Sequence, residues 1–465
     1  MFHIRVETKG ICIAMVEKKG YVKINDGTTV YHYPEDLYVA VVLKNENGHT
    51  KRSIKDIKKS AIQILLHING LRTVDDLYYE LTQKYDIEFS AFSKFLEDSI
   101  KIGILTIVTN PEECSLKIVG DGINVLPRHA TIEITEKCNL KCTYCYNEAM
   151  PTKGKHMPIE SVYKLFDILS LYGVTIIEIS GGEPMLHPEI DKILSYAFEK
   201  FRWVAILSNG VYFPRKILPI IENNRDKLGG IQISIDGSNE EISRKVRQVN
   251  NTCKKSFDTI SLLLSKNFLV RVVIVLTEDN IYNLKDTCEL MRQMGVKHFG
   301  ISVAEEWGRG KEIDNQITEN HKSYKSYFLA KYREILRKIN EEYKDIIFNK
   351  RALKNIDYSA IKNCGAGWQT IAITVDGNIK ACAPGRIFLG NVFCDNYLKV
   401  FSQSQVYKMA HTNFRELREL YCLECSYNHE CTMCYSQVLT MNQKRIKEGK
   451  DICPVIKEIG LEKLV

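Results

Sequence analysis

The sequence predicts an α/β protein in which six strand–helix units follow a small winged-helix module and precede a cysteine-rich extension. Three observations support this fold class. Apolar strands alternate with helical patterns from about residue 129 to residue 306, as in sheets built from β–α–β units. Three helical patterns follow a β-rich start within the first 110 residues. Seven cysteines besides Cys394 form a series from Cys364 to Cys453.

Length and composition indicate a soluble globular protein of two or three domains. The chain has 465 residues, more than one typical core, with 45% hydrophobic and 26% charged residues. No apolar run approaches the ~18 residues that span a bilayer, and the N-terminus lacks the apolar stretch of a signal peptide. We therefore expect a cytoplasmic protein without a membrane partner, whose 15 cysteines serve metal binding rather than disulfides. A net charge of +7 permits an acidic partner but does not require one.

The first 110 residues predict strands followed by three helices. Tyr38–Leu43 is the clearest strand because it is continuously apolar. A first helix carries Leu66 on its apolar side and ends near Gly70. Thr73 caps a second helix, and the third runs over about Phe89–Gly103. Strands, three helices and a final strand in this order indicate a winged helix.

The segment Ile54–Ile107 resembles the peptide-recognition domain that is fused to maturases of ribosomally made peptides. The resemblance implies that residues 1–110 bind a leader peptide. An unrelated structural winged helix is the alternative, and a nucleic-acid regulator with a cluster as redox sensor is another. A nucleic-acid regulator needs a recognition helix on which basic residues are concentrated. The sequence has no such helix here, so we expect no nucleic-acid partner. These helices instead carry a set of acidic residues, namely Asp75, Asp76, Glu80, Asp86, Glu88 and Glu97.

Residues 129–306 predict six strand–helix units. The helix after Pro158 is the plainest, because apolar residues recur at helical spacing from Val162 to Leu169 and Gly173 ends it. Strands joined through one helix each lie parallel, and six units are two short of a full eight-stranded barrel. The strands are predicted at Thr131–Thr135, Val174–Ile179, Val204–Leu207, Ile231–Ile235, Val270–Leu276 and His298–Val303.

A cysteine triplet follows the first of these strands. Cys138, Cys142 and Cys145 are spaced Cys-x3-Cys-x2-Cys. Three thiolates on one short loop can hold three corners of an iron–sulfur cubane and leave the fourth iron without a protein ligand. Zinc sites usually recruit four protein ligands. Small buried hydrophobic residues that happen to cluster are the simpler alternative.

This spacing, with an aromatic residue before the third cysteine, resembles the radical S-adenosylmethionine (SAM) superfamily. The resemblance implies a partial (β/α)6 radical SAM barrel, with SAM on the open iron. It assigns the Glu183 carboxylate to the SAM ammonium and Arg247 to the SAM carboxylate. Ligands of parallel sheets bind beyond the carboxyl ends of the strands, and the matching residues lie there. The predicted cofactor-binding residues are Gly181, Gly182, Glu183, Pro184, Asn209, Ser234, Asp236, Arg247 and Tyr144. No catalytic residue is assigned.

The cysteines of the C-terminal extension predict two further metal sites. The two Cys-x2-Cys pairs that begin at Cys422 and Cys431 are separated by five residues, whereas a zinc ribbon has ~12–20 between its knuckles. An Asp376–Gly377 turn joins two short strands into a hairpin. With Cys364 and Cys453, this series resembles the SPASM extension, which holds two auxiliary [4Fe–4S] clusters. The resemblance therefore implies three [4Fe–4S] clusters in all.

The resemblance also assigns the auxiliary ligands. The inner cluster then has one protein ligand too few. Either Cys394 or a non-protein ligand completes it, or that iron is open to a substrate thiolate. The outer cluster takes Cys422, Cys425, Cys431 and Cys453, and the inner cluster takes Cys364, Cys382 and Cys434.

Three further segments, Gly308–Gly310, Asn363–Trp368 and Leu389–Val392, resemble the sactisynthases. These are maturases, of the subtilosin-forming kind, that join a cysteine sulfur to a peptide carbon. The resemblance implies a radical SAM oxidoreductase that forms thioether crosslinks in a precursor peptide with a leader sequence. Reduced ferredoxin or flavodoxin would donate the electrons. Another SPASM enzyme, making a carbon–carbon crosslink, an epimerised residue or an oxidised side chain, is the alternative.

These inferences divide the chain into four predicted domains. A winged-helix leader-peptide recognition domain occupies residues 1–110, and the radical SAM partial barrel occupies residues 125–310. A helical bridge over residues 311–362 leads to the SPASM domain at residues 363–465.

Overall fold

The structure is a computed structural model that describes residues 19–33, 36–46, 49–316, 324–348, 363–402, 404–426, 431 and 434–462. Residues 1–18 of the predicted recognition domain and residues 317–323 and 349–362 of the predicted bridge lie outside the described residues. Contacts divide the chain into two compact units, Met1–Lys44 with Lys51–Ile123, and Asn45–Thr50 with Asn124–Val465. No helix in the described part of the chain has the length and apolar character needed to cross a bilayer.

The first unit combines a sheet, a two-stranded ladder and three helices. Strand β2 pairs antiparallel with β3 and parallel with β6, β4 flanks β3, and β1 pairs antiparallel with β5. The strands are β1 (Tyr21–Ile24), β2 (Thr28–Tyr33), β3 (Leu37–Glu46), β4 (His49–Ile57), β5 (Leu105–Val108) and β6 (Ile118–Val119). The helices are α1 (Lys59–Leu65), α2 (Val74–Thr82) and α3 (Phe89–Ile102).

The helix ends of this unit mostly follow the sequence. Thr73 caps α2, because its side chain accepts a hydrogen bond from Asp76 N at 3.2 Å. Helix α3 stops at Gly103, which adopts the left-handed conformation at φ 92°. The prediction for α1 was wrong at its end, since the helix stops at Leu65 and Leu66 is 59% exposed. Consecutive helical residues point about 100° apart, so Leu66 turns away from the core that Leu65 enters.

The second unit contains the predicted parallel strands. All six strands pair in chain order as a parallel sheet, which confirms the partial-barrel fold. They are β7 (His129–Glu133), β8 (Ile176–Ser180), β9 (Trp203–Ser208), β10 (Leu228–Ile235), β11 (Val270–Leu276) and β12 (Phe299–Val303). The helices between and after them are α4 (Ile159–Leu171), α5 (Ile190–Lys200), α6 (Leu218–Asn223), α7 (Glu240–Arg247), α8 (Cys253–Ser265) and α9 (Leu284–Gln293).

The core lies between these strands and helices. Helix α4 buries the predicted stripe from Val162 to Leu169, and Pro158 stands at its N-cap. Strand residues such as Ile132 and Ile179 are 0% exposed. Fully burying side chains of this kind contributes about 1.5–3 kcal/mol each, which holds the strand ends in fixed positions.

The C-terminal region extends the same sheet. Strand β13 (Thr370–Ile373) pairs parallel with β7, and β14 (Asn378–Lys380) and β15 (Phe388–Asn391) follow antiparallel. The predicted turn contains Gly377 at φ 79°, in the left-handed region. The sheet is therefore mixed and nine-stranded. The remaining helices are α10 (Tyr324–Lys331), α11 (Arg333–Glu342), α12 (Tyr397–Phe401), α13 (Ser404–His411), α14 (Phe414–Tyr421), α15 (Tyr435–Lys447) and α16 (Pro454–Glu458).

Candidate cluster and cofactor site

A packed group beyond the end of β7 contains all three cysteines of the predicted triplet. Cys138 is buried, and Cys142 and Cys145 pack in the same group. Burial, followed by the Glu183 carboxylate, raises the pKa of the Cys138 thiol to about 12. Burial and the Asp236 carboxylate raise the pKa of Cys142 well above its usual value, and the neighbouring thiols add to the shift. Thiolates at this place therefore need a positively charged partner.

Two hydrogen-bond donors lie beside the Cys138 sulfur. Leu140 N lies 3.4 Å from Sγ and Asn209 Nδ2 lies 3.7 Å from it. N–H donors favour a thiolate over a thiol, and the positive charge of bound iron keeps buried thiolates ionised. Within the described ranges, no three His, Cys, Asp or Glu side chains stand in a geometry for one metal ion.

The two glycines after β8 hold the cysteine loop in place. Gly182 N donates to Thr135 O at 2.6 Å, and Glu183 N donates to Lys137 O at 2.8 Å. A Cβ built on either glycine would overlap one of these carbonyl oxygens, and Gly181 adopts φ 140°. The glycines therefore allow a close approach to the segment between β7 and Cys138.

Glu183 lies inside this junction. Its carboxylate is 1% exposed and accepts hydrogen bonds from Ser208 Oγ at 2.8 Å, Asn209 N at 2.7 Å and Met185 N at 3.0 Å. Burial raises the pKa of this carboxyl to about 7. The sequence assigned this carboxylate to the SAM ammonium. In the structure the carboxylate joins the ends of β8 and β9, and its contact with SAM stays a prediction.

A second junction lies at the end of β10. Asp236 accepts hydrogen bonds from the Tyr144 hydroxyl at 2.6 Å and from Arg247 Nε at 2.7 Å. Arg247 also donates to Ser256 Oγ at 2.9 Å and to the carbonyl oxygen of Ser234. The Asp236 and Arg247 side chains are each 1% exposed, so Arg247 is not a solvated surface residue. The structure thus brings four predicted cofactor residues, counting Tyr144 and Ser234, to one place beside the cysteine loop.

The remaining predicted cofactor residues surround the same loop. The Asn209 side chain donates to Asn139 Oδ1 at 2.7 Å as well as pointing at Cys138. Pro184 is buried at the start of a short 3-10 helix, Pro184–Leu186, directly after the glycines. The predicted residues therefore gather beyond the carboxyl ends of the parallel strands, where Tyr144 comes from the cysteine loop and Arg247 from the end of α7.

Arg309 is a residue at this site whose role the sequence did not reveal. Its Nε donates to Cys142 O and its Nη2 to Ala149 O, both at 2.8 Å, while its backbone N donates to Cys145 O at 3.1 Å. A Cβ on Gly308 would overlap the Cys145 carbonyl oxygen. The glycines on either side of an arginine were the available signal, because they indicate a close backbone approach.

The three predicted inner ligands come together at the other end of the hairpin. Cys382 follows β14, Cys434 precedes α15, and the Cys364 thiol interacts electrostatically with both. Burial and the Cys434 thiol raise the pKa of Cys382 to about 11. Cys394, one candidate for the missing ligand, is exposed in the turn after β15.

Ser436 is another polar side chain beside the inner set. A Cβ built on Gly385 would lie 2.6 Å from Cys382 Sγ and 2.8 Å from Ser436 Oγ. The sulfur and the hydroxyl therefore face the same glycine. A side chain in place of this glycine would therefore displace the sulfur or the hydroxyl.

The outer set lies at helix ends. Cys422 follows α14, Cys453 caps α16, and burial followed by the Cys453 and Cys425 thiols raises the pKa of Cys422 to about 11. Arg445 on α15 donates to Cys425 Sγ at 3.5 Å. Cys431 is half-buried, and its chain neighbours on both sides lie outside the described residues.

The parallel strands, the triplet loop beyond β7 and the polar strand ends define a class of enzyme. Residues 132–291 match the family model of the radical SAM superfamily, so this part of the chain is a radical SAM domain.

Individual proteins of known function or structure also resemble this chain. The chain is 28% identical over 453 residues to the antilisterial bacteriocin subtilosin biosynthesis protein AlbA of Bacillus subtilis, which covers 95% of this chain and 97% of that protein. It is 24% identical to the sporulation killing factor maturation protein SkfB of Bacillus subtilis, over 63% of this chain and 69% of that protein. The fold is similar to the crystal structure of Streptococcus suis SuiB bound to precursor peptide SuiA, with a TM-score of 0.63 and 13% identity. That similarity covers 90% of this chain and 97% of SuiB.

Proposed function

We propose that this protein matures a ribosomally synthesised precursor peptide by joining cysteine sulfur to peptide carbon in thioether crosslinks. The observation that carries this proposal is the similarity to the subtilosin biosynthesis protein over 95% of this chain and 97% of the relative. The similarity therefore includes the N-terminal unit and the C-terminal cysteines as well as the barrel. A similarity confined to the barrel would support radical chemistry but would not indicate which class of substrate the enzyme modifies.

The proposal assigns each cysteine set to an iron–sulfur cluster. The triplet that begins at Cys138 holds the cluster that binds SAM, the set around Cys382 holds the inner auxiliary cluster, and the set around Cys422 holds the outer one. When bound, the first cluster supplies an electron to SAM, and SAM supplies the radical chemistry. Reduced ferredoxin or flavodoxin is the proposed electron donor.

The residues of the chain position these groups and exclude water. Arg309 fixes the cysteine loop from the β12 side, and the backbone N–H of Glu183, which donates to Lys137 O, fixes its start from the β8 side. Asp236 joins Tyr144 of the loop to Arg247 of α7. Because all these side chains are held by buried hydrogen bonds, the loop is preorganised before a cofactor enters.

The precursor peptide is the proposed partner of the N-terminal unit. Residues 1–110 would bind its leader as an added strand, since main-chain hydrogen bonds on a sheet edge give affinity with little sequence demand. Strand β4 ends the described sheet of this unit and offers such an edge. The barrel would then occupy residues 125–310, the bridge residues 311–362 and the SPASM domain residues 363–465.

A variant without the cysteine triplet tests the radical chemistry. Replacing Cys138, Cys142 and Cys145 with alanine should abolish 5′-deoxyadenosine formation in the presence of reductant. The same variant should leave the precursor peptide unmodified, whereas the wild-type enzyme should remove two hydrogens per crosslink, read by mass spectrometry. Undiminished SAM cleavage by the variant would contradict the assignment. Peptide modification without loss of hydrogen would indicate epimerisation instead.

A further inference from the structure

A cavity of about 230 Å³ opens between the cysteine loop and the C-terminal extension of the sheet. Glu133 at the end of β7 lies at one side, and Thr374 and Val375 after β13 lie at the other. Asn147 and Glu148, which follow the triplet directly, complete the wall on the loop side. At about 30 Å³ per water molecule, the space is large enough for a peptide side chain.

Glu133 is a buried carboxylate with spare hydrogen-bonding capacity. The residue is 7% exposed, and its Oε1 has no hydrogen-bond partner within the described part of the chain. A buried carboxylate oxygen without a donor is costly, so most such groups in proteins are satisfied. Glu133 therefore has an acceptor available at the wall of the cavity.

A positive charge lies close to this carboxylate without bonding to Oε1. Lys380 Nζ is 3.7 Å from Glu133 Oε1, and the Lys380 ammonium donates instead to the carbonyl oxygen of Ala383. The Lys380 side chain also lies 5.7 Å from the centre of the Tyr146 ring. Lys380 is the last residue of β14 and precedes Cys382 by two residues, so this ammonium lies on the strand that leads to a predicted inner ligand.

We propose that this cavity receives the cysteine side chain of the precursor peptide and that Glu133 accepts its thiol proton. The inference rests on the proposed thioether-forming function and names the subsite and the base for it. The S–H bond breaks, its proton forms an O–H bond on Glu133, and the electron pair stays on sulfur as a thiolate. The Lys380 ammonium then stabilises the thiolate in place of the neutralised carboxylate.

The surroundings of Glu133 favour proton transfer from the thiol to its carboxylate. Burial raises the pKa of the Glu133 carboxyl, while Lys380 and Asn147 oppose the shift and Glu136 adds to it. Tyr146 is a further titratable group that interacts with Glu133. A raised pKa brings the carboxyl nearer to the pKa of a thiol, ordinarily about 8.5, which makes the proton transfer more favourable.

The test uses the reconstituted enzyme, with a cysteine-containing precursor peptide that the wild-type enzyme modifies as probe. E133Q should lower the crosslinking rate by about 100-fold or more near neutral pH, the usual contribution of a general base. The same variant should form 5′-deoxyadenosine within about twofold of wild type. Its crosslinking should recover as the pH rises towards about 8.5, where a thiol ionises without a base. The measurements are 5′-deoxyadenosine and crosslinked peptide over a pH series.

Glu178 provides a matched control on the neighbouring strand. Its carboxylate accepts a hydrogen bond from Thr131 Oγ1 at 3.0 Å and lies 3.6 Å from His129 Nε2, so it is already satisfied. E178Q should therefore keep the wild-type pH profile. A shift of the profile in E178Q equal to that in E133Q would overturn the specific role of Glu133.

The possible outcomes separate the inference from the proposed function. A wild-type enzyme that forms no crosslink in the cysteine-containing probe contradicts the function itself. A wild-type enzyme that forms crosslinks, with E133Q unchanged in rate and pH profile, overturns only the role of Glu133. If E133Q makes no 5′-deoxyadenosine, E133D decides the question, because it keeps the carboxylate but withdraws it from the cavity. E133D should form crosslinks at least tenfold more slowly with SAM cleavage intact, and a rate within twofold of wild type would refute the proposal.

Discussion

At the residue scale, the buried carboxylate of Asp236 connects the cysteine loop to α7. It accepts from the Tyr144 hydroxyl at 2.6 Å and pairs with the Arg247 guanidinium at 2.7 Å. Both members of the ion pair lose their hydration on folding, which costs free energy. Their mutual attraction and their hydrogen bonds offset this cost. Removing one member leaves the other charge buried and uncompensated.

We expect D236N to lower the free energy of unfolding of the metal-free protein by about 3–5 kcal/mol, the usual cost of breaking a buried pair. Denaturant titration measures this change. D258N is the control, because Lys254 and Asp258 form an ion pair whose side chains are 85% and 62% exposed. An exposed pair contributes under about 1 kcal/mol, so equal losses in the two variants would contradict the expectation.

Glu183 should make stability depend on pH. Burial raises the pKa of its carboxyl from 4.5 to about 7. A folded-state pKa above the unfolded value favours the protonated form on folding, so this contribution is complete below pH 4.5 and is lost as the pH rises through about 7. At 1.36 kcal/mol per unit the loss is about 3 kcal/mol. E183Q cannot titrate, and its free energy of unfolding should change less over this pH range than that of wild type. Equal pH slopes in parallel denaturant titrations would contradict this role.

At the element scale, the turn after β12 clamps the cysteine loop. Arg309 contacts three carbonyl oxygens of residues 142–149 and is 8% exposed. Its Nη1 has no hydrogen-bond partner among the described residues. A planar guanidinium can reach two carbonyl groups at once, which a lysine ammonium on a flexible stem cannot reproduce.

We expect R309K to weaken iron retention by the reconstituted enzyme. Replacing a residue that orients a metal ligand typically lowers the metal affinity about 10–100-fold. Iron should therefore pass to a chelator about 10–100-fold faster from R309K than from wild type. R225K is a matched control, because Arg225 also donates to two loop carbonyl groups, those of Lys266 and Asn267, away from the predicted ligands. Equal iron release from the two variants would show that Arg309 does not hold the loop.

At the scale of the whole molecule, one sheet joins the barrel to the C-terminal region. Strand β13 adds to the free side of β7, so the strand that leads to Cys138 and the hairpin that leads to Cys382 belong to one sheet. Lys380 and Glu133 meet across this junction although they are far apart in sequence. Chemistry at the cavity therefore depends on both parts of the second unit.

The first unit should contribute binding without contributing radical chemistry. Its core is formed by its own strands and helices, including Val30, Leu77 and Phe92. Deleting residues 1–110 should weaken modification of the full precursor by about 10²–10⁴-fold, because tethering raises the effective concentration of the core segment by that order. Formation of 5′-deoxyadenosine should persist. A leaderless core peptide should react equally with both enzymes, and full activity of the truncated enzyme on the complete precursor would assign the unit another role.

The sequence by itself determined the parallel strands and the position of the cysteine triplet. Strand and helix periodicities are local, since apolar residues repeat every two or 3.6 positions along the chain, and the Cys-x3-Cys-x2-Cys spacing lies within one loop. The contacts of Glu183 and Arg247 with SAM stay predictions. Their partners within the protein did not follow from the sequence, because the Glu183 carboxylate bonds to the end of β9 and Arg247, the last residue of α7, bonds to Asp236.

Only the tertiary structure decided which distant groups meet. The pairing of β13 with β7, the approach of Lys380 to Glu133 and the contact of Arg309 with the cysteine loop each join residues from remote parts of the chain. No local pattern specifies such a contact, because it depends on which sheet edge is free and which polar atoms remain unsatisfied after the whole core is buried. Short sequence motifs therefore indicated the kind of chemistry. The arrangement of the surrounding groups depended on the packing of the complete fold.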